Sequence, residues 1–202
     1  MRSQPAENAR EKLLRAGIEL FRRSGYVATT VDEICDQAGV TKGAFFHHFD
    51  SKEALGQACL HQWDCQMKAM DEAAPYHTVA EPLPKLLACM DYYIALFGNH
   101  HVLPSCLAGT TVQEVSDTHP NLREAAQVCF VNGEARFRAL LDAACQSKQK
   151  SLDNASLAKL WMAAIQGSFI LCKASRDESV VSSTMTHVKE YIRKLLSSDP
   201  AP

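Results

Sequence analysis

Residues 29–55 read TTVDEICDQAGVTKGAFFHHFDSKEAL, and this stretch decides the fold. Thr30 and Glu33 form a T-x-x-E capping box, which marks the beginning of a helix. Four apolar residues at i, i+3, i+4 and i+7 accompany it: Val31, Ile34, Cys35 and Ala38. Gly39 ends that helix, and Thr41 can cap another, which is short because Ser51 begins a further capping signal. The stretch therefore predicts two short helices joined by a glycine turn.

Two short helices with this spacing, within residues 30–49, have the layout of a helix-turn-helix. In that motif the first helix crosses the DNA backbone and the second lies in the major groove, which is about 12 Å wide. Gly39 supplies the positive φ that the turn between them needs. Because helical hairpins of this size are common, the layout alone indicates DNA binding only weakly.

The rest of the chain is punctuated as a helical protein. All eight prolines lie at positions 5, 75, 82, 84, 104, 120, 200 and 202, so residues 6–74 and 121–199 contain no helix breaker. We expect further helices near residues 7–24, 51–74, 82–98, 104–115, 120–147, 153–175 and 178–197. The sequence contains no sustained period-2 alternation of the kind that predicts strands, so we expect an all-α fold class.

Composition limits the classes of function. The 202 residues are 47% hydrophobic and 22% charged, as in a globular protein of one or two domains, and the net charge of −2 excludes a polybasic nucleic-acid binder. The polar start MRSQPAENAREK lacks the apolar core of a signal peptide, and the apolar stretch 161–172 is shorter than the roughly 20 residues of a membrane span. Eight cysteines without a C-x-x-C pair predict free thiols in a reducing cytoplasm.

Residues 29–55 closely resemble the DNA-binding domain of the TetR family of transcriptional repressors. The preceding helix fits the same pattern through Leu14, Ala16, Leu20, Phe21 and Gly25. The resemblance covers residues 7–67 and implies a three-helix DNA-binding domain at 1–67. It also implies a larger helical domain at 68–202 that binds an effector and forms a homodimer.

The resemblance implies a DNA-contacting surface. Thr29 and Thr30 match residues whose hydroxyls and backbone amides contact phosphate, and Lys52 matches a lysine that binds phosphate. Ala44 and Phe45 match positions near base edges, where an apolar side chain can touch a thymine methyl group. The complete implied set is Thr29, Thr30, Thr41, Lys42, Gly43, Ala44, Phe45, Phe46, His47, His48 and Lys52.

Four positions in this stretch carry specific expectations. Gly43 lets the backbone approach the groove, and His47 and His48 can donate to phosphates or bases. Phe49 resembles an anchoring core aromatic. Phe46 departs from the family pattern, because most members have a tyrosine there whose hydroxyl bonds a phosphate.

The last two predicted helices are candidates for the dimer interface. Residues 153–175 are apolar nearly all round, which indicates a helix that is covered on both sides. Residues 178–197 contain a seam with spacings of 4, 3, 4 and 3, made of Val181, Met185, Val188, Ile192 and Leu195. The alternative is that both helices only face the core of their own protomer.

The middle of the chain mixes apolar and polar groups as small-molecule sites do. The candidate effector-binding residues are Tyr93, Phe97, His101, Cys106, Gln113, Phe130 and Phe137. Each of them could equally be an ordinary core residue. Cys106 is also a candidate thiol sensor, because a helix N-terminus and a neighbouring imidazolium both lower the pKa of a thiol. The alternative for Cys106 is an inert cysteine that fills the core.

The resemblance, together with these patterns, implies a homodimer that binds a palindromic double-stranded operator and releases it when a small-molecule effector binds. We expect no cofactor, no metal and no membrane partner. The pairs His47–His48 and His61–Cys65 have no convincing further metal ligands in the sequence. A helical adaptor that binds only protein stays open, as does a small enzyme, although no G-x-S-x-G, H-E-x-x-H or P-loop motif occurs.

Overall fold

The computed structural model describes residues 8–99, 103 and 105–197. Within these ranges the chain forms nine α-helices, a short 3-10 helix at Pro75–Thr78 and no strand, which confirms the all-α fold class. The α-helices are α1 Ala9–Ser24, α2 Val31–Ala38, α3 Lys42–His48, α4 Lys52–Glu72, α5 Pro82–Gly98, α6 Leu107–Val115, α7 Pro120–Ser147, α8 Asn154–Ser175 and α9 Ser179–Ser197.

Apart from end shifts of one or two residues, the helices differ from the predicted ones at two places. Helix α6 begins at Leu107 instead of near residue 104, and Pro104 lies outside the described residues. The 3-10 helix was not predicted. Pro75 ends α4 as expected, but its fixed φ also suits the first position of a new helical turn, and Pro75–Thr78 uses it in that way.

The caps around the helix-turn-helix are formed as the sequence predicts. The Glu33 backbone N–H donates to Thr30 Oγ1 at 3.2 Å, and the Thr30 N–H donates to Glu33 Oε2 at 2.7 Å. These bonds from Thr30 hold the pKa of the Glu33 carboxyl below its ordinary value. Thr41 Oγ1 accepts from the Ala44 N–H at 3.1 Å, and Gly39 has a φ of +64° in the left-handed region.

The chain divides into two compact units, and neither is continuous in sequence. The first extends to Met67 and includes Leu107–Cys129, so α6 and the beginning of α7 pack with the N-terminal helices. The second contains Lys68–Cys106 and the chain from Phe130 onward. The predicted division into a DNA-binding domain at 1–67 and an effector domain at 68–202 stays a prediction.

The first unit has its core where α1 packs against α2, α3 and α6. Phe45 lies on the inner face of α3 and has 0% of its surface exposed, one turn before the buried Phe49. Phe46 points away and is 51% exposed. The prediction that Phe45 lies near base edges is therefore wrong, because a side chain without exposed surface cannot touch a base. The prediction that Phe49 anchors the core is confirmed.

In the second unit α9 packs against α5 and α8. The Tyr93 ring lies 5.4 Å from that of Phe97, which is 5.6 Å from Phe169, and Phe137 stacks on Trp161 at 5.1 Å. In the α9 seam the residues Val181, Met185 and Ile192 are fully buried within their own chain. At these three positions the seam therefore serves the core of one protomer.

Helix α8 is the one described helix that is long and apolar enough to cross a membrane by length and composition. Its most apolar window has a mean hydropathy of 1.4, and 39% of that window is buried. A helix of this composition is also typical of a protein interior or interface, since it presents apolar side chains on several faces.

We expect Phe45→Ala to destabilise the protein by about 3–5 kcal/mol, because the substitution leaves a cavity in the core between α1 and α3. The matched control is Phe46→Ala, which should change the free energy of unfolding by less than about 0.5 kcal/mol because Phe46 is exposed. Urea unfolding at a fixed protomer concentration measures both. Equal stabilities for the two variants would contradict the inward position of Phe45.

Candidate nucleic-acid interface

Helix α3 has one buried side and one side that faces solvent. Its cap Thr41 is exposed, and so are Lys42, Gly43, Phe46 and His47, whereas Ala44 and His48 are half-buried. Seven residues cannot form a stable isolated helix, so the burial of Phe45 is what holds α3 in place. The outer side thus presents an ammonium group, two imidazoles and an aromatic ring on a fixed backbone.

Lys42 is exposed and paired within the motif. Its Nζ lies 2.8 Å from Asp32 Oδ1 on α2, and this hydrogen bond raises the pKa of the Lys42 ammonium. Lys42 therefore stays charged at neutral pH, but a phosphate must compete with Asp32 for it. The rings of His47 and His48 lie 4.9 Å apart at the C-terminal end of the same helix.

Thr29 and Thr30 have different surroundings although they are neighbours. Thr29 is 1% exposed, and its hydroxyl donates to the Gly25 carbonyl at 2.6 Å. The prediction that Thr29 offers its hydroxyl to phosphate is therefore wrong, because the group is buried and already bonded inside the turn. Thr30 is exposed at the N-terminus of α2, where the backbone amides and the helix dipole favour an anion.

Lys52 holds the turn between α1 and α2. Its Nζ donates to the carbonyls of Tyr26 and Thr29, at 2.9 Å each, and lies 4.4 Å from the centre of the Tyr26 ring. Burial lowers the pKa of Lys52, while Glu114 and Glu33 act in the opposite direction. This internal role was not predicted from the sequence, and the phosphate contact of Lys52 stays a prediction.

Comparison with known families identifies the motif. Residues 13–59 match the family model described as "Bacterial regulatory proteins, tetR family". Residues 82–188, just over half of the chain, match the model described as "Tetracyclin repressor-like, C-terminal domain". The chain belongs to the TetR family. It is a DNA-binding transcriptional regulator.

Relatives of this TetR-family protein match it over nearly its whole length. An HTH-type transcriptional regulator in the lacX 3′ region of Lactococcus lactis is 27% identical over 191 residues, which are 93% of this chain and 95% of the relative. The HTH-type transcriptional repressor NemR of Escherichia coli K12 is 26% identical, with 95% of this chain and 98% of NemR covered.

Two solved structures have the same overall fold. The reduced form of E. coli NemR has a TM-score of 0.78 at 25% identity, covering 91% of this chain and 96% of that one. A TetR transcriptional regulator from Chloroflexus aurantiacus has a TM-score of 0.81 at 23% identity, covering 92% of this chain and 94% of that one. The second likeness concerns the fold alone.

The candidate effector-binding residues of this TetR-family chain that the structure describes are divided between the two units. Tyr93 and Phe97 stack in the second unit, where Phe137 is buried and Phe130 is half-buried. Gln113 lies in the first unit and donates to the Gly109 carbonyl at 2.8 Å. Cys106 is half-buried directly before α6, and His101 lies outside the described residues. Their roles stay predictions.

A buried carboxylate near the end of α4 was missed by the sequence analysis. Asp71 is 7% exposed and accepts hydrogen bonds from the hydroxyls of Tyr93, at 2.6 Å, and Tyr76. Burial and the bond to Asp71 raise the pKa of both tyrosines above the ordinary value. The sequence contains no periodic signal for this cluster. It joins α4, the 3-10 helix and α5 inside the second unit.

Potential metal-binding side chains do not cluster in the part of the chain that the structure describes. No group of three or more His, Cys, Asp or Glu side chains there could hold a metal ion. The pair on α4 consists of the His61 Nε2 and the Cys65 Sγ, 3.7 Å apart.

We expect Gly43→Ala to weaken DNA binding without destabilising the protein. A Cβ at Gly43 would meet only Thr41 Oγ1, at 3.8 Å, and alanine in a helix is favoured by up to about 1 kcal/mol. The control Gly39→Ala should instead lower stability by about 1 kcal/mol, because φ is positive there. Thermal unfolding and a mobility-shift titration measure the two effects. Undiminished DNA binding by Gly43→Ala would exclude a close approach of this backbone to DNA.

Proposed function

We propose that the protein is a homodimeric repressor that binds a palindromic operator through α3 and releases it when a small-molecule effector binds the second unit. The observation that carries this proposal is the two-sided construction of α3. Phe45 and Phe49 anchor its inner side, while Lys42, Phe46 and His47 project from the other. A short, fixed helix with small and cationic groups on its outer side fits the major groove.

The repressor role is supported by relatives that cover most of the chain. NemR of E. coli and DhaR of Mycobacterium sp. are both named as transcriptional repressors. Release by an effector is then a population shift, in which the effector binds better to a conformation that does not fit the operator. In the fitting conformation the two α3 helices of the dimer lie about 34–36 Å apart, one turn of DNA. Such a regulator works in the cytoplasm, where its operator is.

The dimer interface that we propose lies on α8, with α9 beside it. Support comes from the solvent-facing side of α8, where Leu160, Ala163, Ile170, Leu171 and Ala174 are exposed and Gly167 is half-buried. These residues recur at spacings of three and four, so they share a face. A two-fold axis places the same face of a second copy against it. That contact also explains why α8 is strongly apolar although one chain buries only part of it.

The effector site that we propose lies in the second unit, near Tyr93 and Phe97. The stacked rings offer an apolar wall, and the Tyr93 hydroxyl is fixed by Asp71. Small-molecule sites combine apolar walls with a few oriented polar groups in this way.

We expect Lys42→Ala to weaken operator and non-specific DNA binding alike and to flatten the dependence of log K on log salt by about one unit per subunit. Stability should be nearly unchanged, because Lys42 and Asp32 are both exposed. Lys52→Ala should weaken DNA binding too, but with a loss of stability, since Lys52 also bonds the 25–29 turn. Mobility shifts over a salt series, with DNA from upstream of the gene, measure the slopes.

Two results, one from this titration and one from an activity assay of the purified protein, would contradict the proposed function. An adaptor that binds only protein would shift none of the DNA fragments, whatever the salt concentration. An enzyme would show saturable turnover and no salt-dependent DNA affinity.

We further propose that Cys106 is a thiol through which the regulator responds to electrophiles. Cys65 is exposed and Cys106 and Cys129 are half-buried, whereas the other five cysteines, among them Cys59 and Cys89, are buried. Burial raises the pKa of the Cys59 thiol, and it raises the pKa of Cys89 to about 12. Both buried thiols are therefore poor nucleophiles.

Limited treatment with iodoacetamide should label Cys65 and Cys106 before Cys59 and Cys89, and mass spectrometry gives the order. Labelling of wild type and of the control Cys65→Ser should release operator DNA, whereas Cys106→Ser should stay bound. Release from labelled Cys106→Ser, or late labelling of Cys106, would leave a non-covalent effector as the signal.

A further inference from the structure

The turn at residues 25–29 leads directly into the N-terminus of α2, where Thr30 is exposed. Lys52 stabilises this turn by donating hydrogen bonds to the carbonyls of Tyr26 and Thr29. Within the turn, the Thr29 hydroxyl donates a hydrogen bond to the Gly25 carbonyl. The position of Thr30 therefore depends on how the turn is held.

A second charged side chain, Glu114, also bonds this turn. Glu114, in the last turn of α6, accepts a hydrogen bond at Oε2 from the Val27 backbone N–H at 3.0 Å. Val27 itself is exposed, so its side chain contributes little to fixing the turn. Glu114 is also a charge partner of Lys52, whose pKa it acts to raise. The Glu114 carboxylate and the Lys52 ammonium therefore both bond the backbone of the 25–29 turn.

Gly25 leaves room for this carboxylate. Its φ is +90°, and a Cβ built there would clash with the Glu114 carboxylate. Two separate requirements, the backbone conformation and the close approach of Glu114, therefore select glycine at this position.

The residues that follow α6 pack against the same turn. The Tyr26 ring lies 5.3 Å from that of His119, and a Cβ at Gly56 would meet both Leu122 and Tyr26, at 2.9 and 3.2 Å. Asn121 Nδ2 donates to Glu53 Oε1 on α4 at 3.1 Å. Burial and the nearby Glu53 raise the pKa of Tyr26 to about 12. Glu114 is itself exposed, but the turn that it bonds is part of this packed contact.

We propose that Glu114 is a positioning residue for operator binding, which fixes the 25–29 turn against Lys52 and thereby sets where Thr30 and the N-terminus of α2 meet the DNA. This inference rests on the proposed function. Glu114 does not contact DNA in this scheme, and it acts through the Val27 amide.

Electrostatics alone predicts a change of DNA affinity in the opposite direction, so the direction of the change distinguishes the two explanations. Removal of a negative charge from the first unit reduces repulsion with phosphate and should strengthen DNA binding. If Glu114 positions the turn, its removal weakens operator binding instead.

The test compares Glu114→Ala, Glu114→Gln and the control Asp117→Asn. Asp117 is an exposed acid close by in sequence, and it makes no hydrogen bond or ion pair with any residue that the structure describes. We expect Glu114→Ala to lose about tenfold in operator affinity, with an unchanged salt slope, and its Val27 amide to exchange with solvent about tenfold faster. Glu114→Gln should recover part of both, because its amide oxygen can still accept from Val27. Asp117→Asn should bind as tightly as wild type or more tightly.

Amide exchange, measured by NMR on the free full-length protein, separates the two proposals. If wild type binds no DNA but Glu114→Ala still accelerates exchange at Val27, the proposed function fails and the hold on the turn stands. If wild type binds DNA and Glu114→Ala matches Asp117→Asn in affinity and exchange, the positioning role is overturned. If the Glu114→Ala protein does not fold, Glu114→Gln decides: operator affinity below wild type and faster exchange at Val27 support the positioning role, and wild-type values for both overturn it.

Discussion

The burial of Phe45 is the interaction on which the proposed DNA-binding surface depends. A helix of seven residues has too few internal hydrogen bonds to persist alone, so α3 exists because its inner face packs in the core beside α1. That packing also decides which side chains face outward. The affinity of such a surface therefore cannot be separated from the stability of the core beneath it.

Much of the local architecture could be predicted because its signals lie within a few residues of each other. The Thr30–Glu33 box, the Thr41 cap and the positive φ of Gly39 all formed as expected. The error at Phe45 arose because Phe45 and Phe46 are chemically alike, although the four-residue spacing from Phe45 to Phe49 could have indicated the inner face. The buried Thr29 hydroxyl and the bonds of Lys52 depend on turn geometry, which residue type does not encode.

Long-range contacts account for the remaining differences. Nothing in the local pattern of α6 indicates that Glu114 meets the Val27 amide, 87 residues earlier in the chain. In the same way, Asp71 is a polar residue near a helix end until Tyr76 and Tyr93 fold over it. Several acids that the sequence leaves without a role, among them Asp32, Glu33 and Glu114, also bond partners far or near in the chain within the first unit.

The discontinuity of the first unit bears on how regulators of this kind can be recombined. A chimera that joins residues 1–67 of this protein to the remainder of another regulator would separate the head from Leu107–Cys129, which pack with it. The transplanted head would then meet a foreign α6 without a matched acid opposite Gly25. Grafts that exchange both segments together keep the contact. Crossover points chosen from the linear order of the chain alone would divide a structural unit that folding has assembled from two separate pieces.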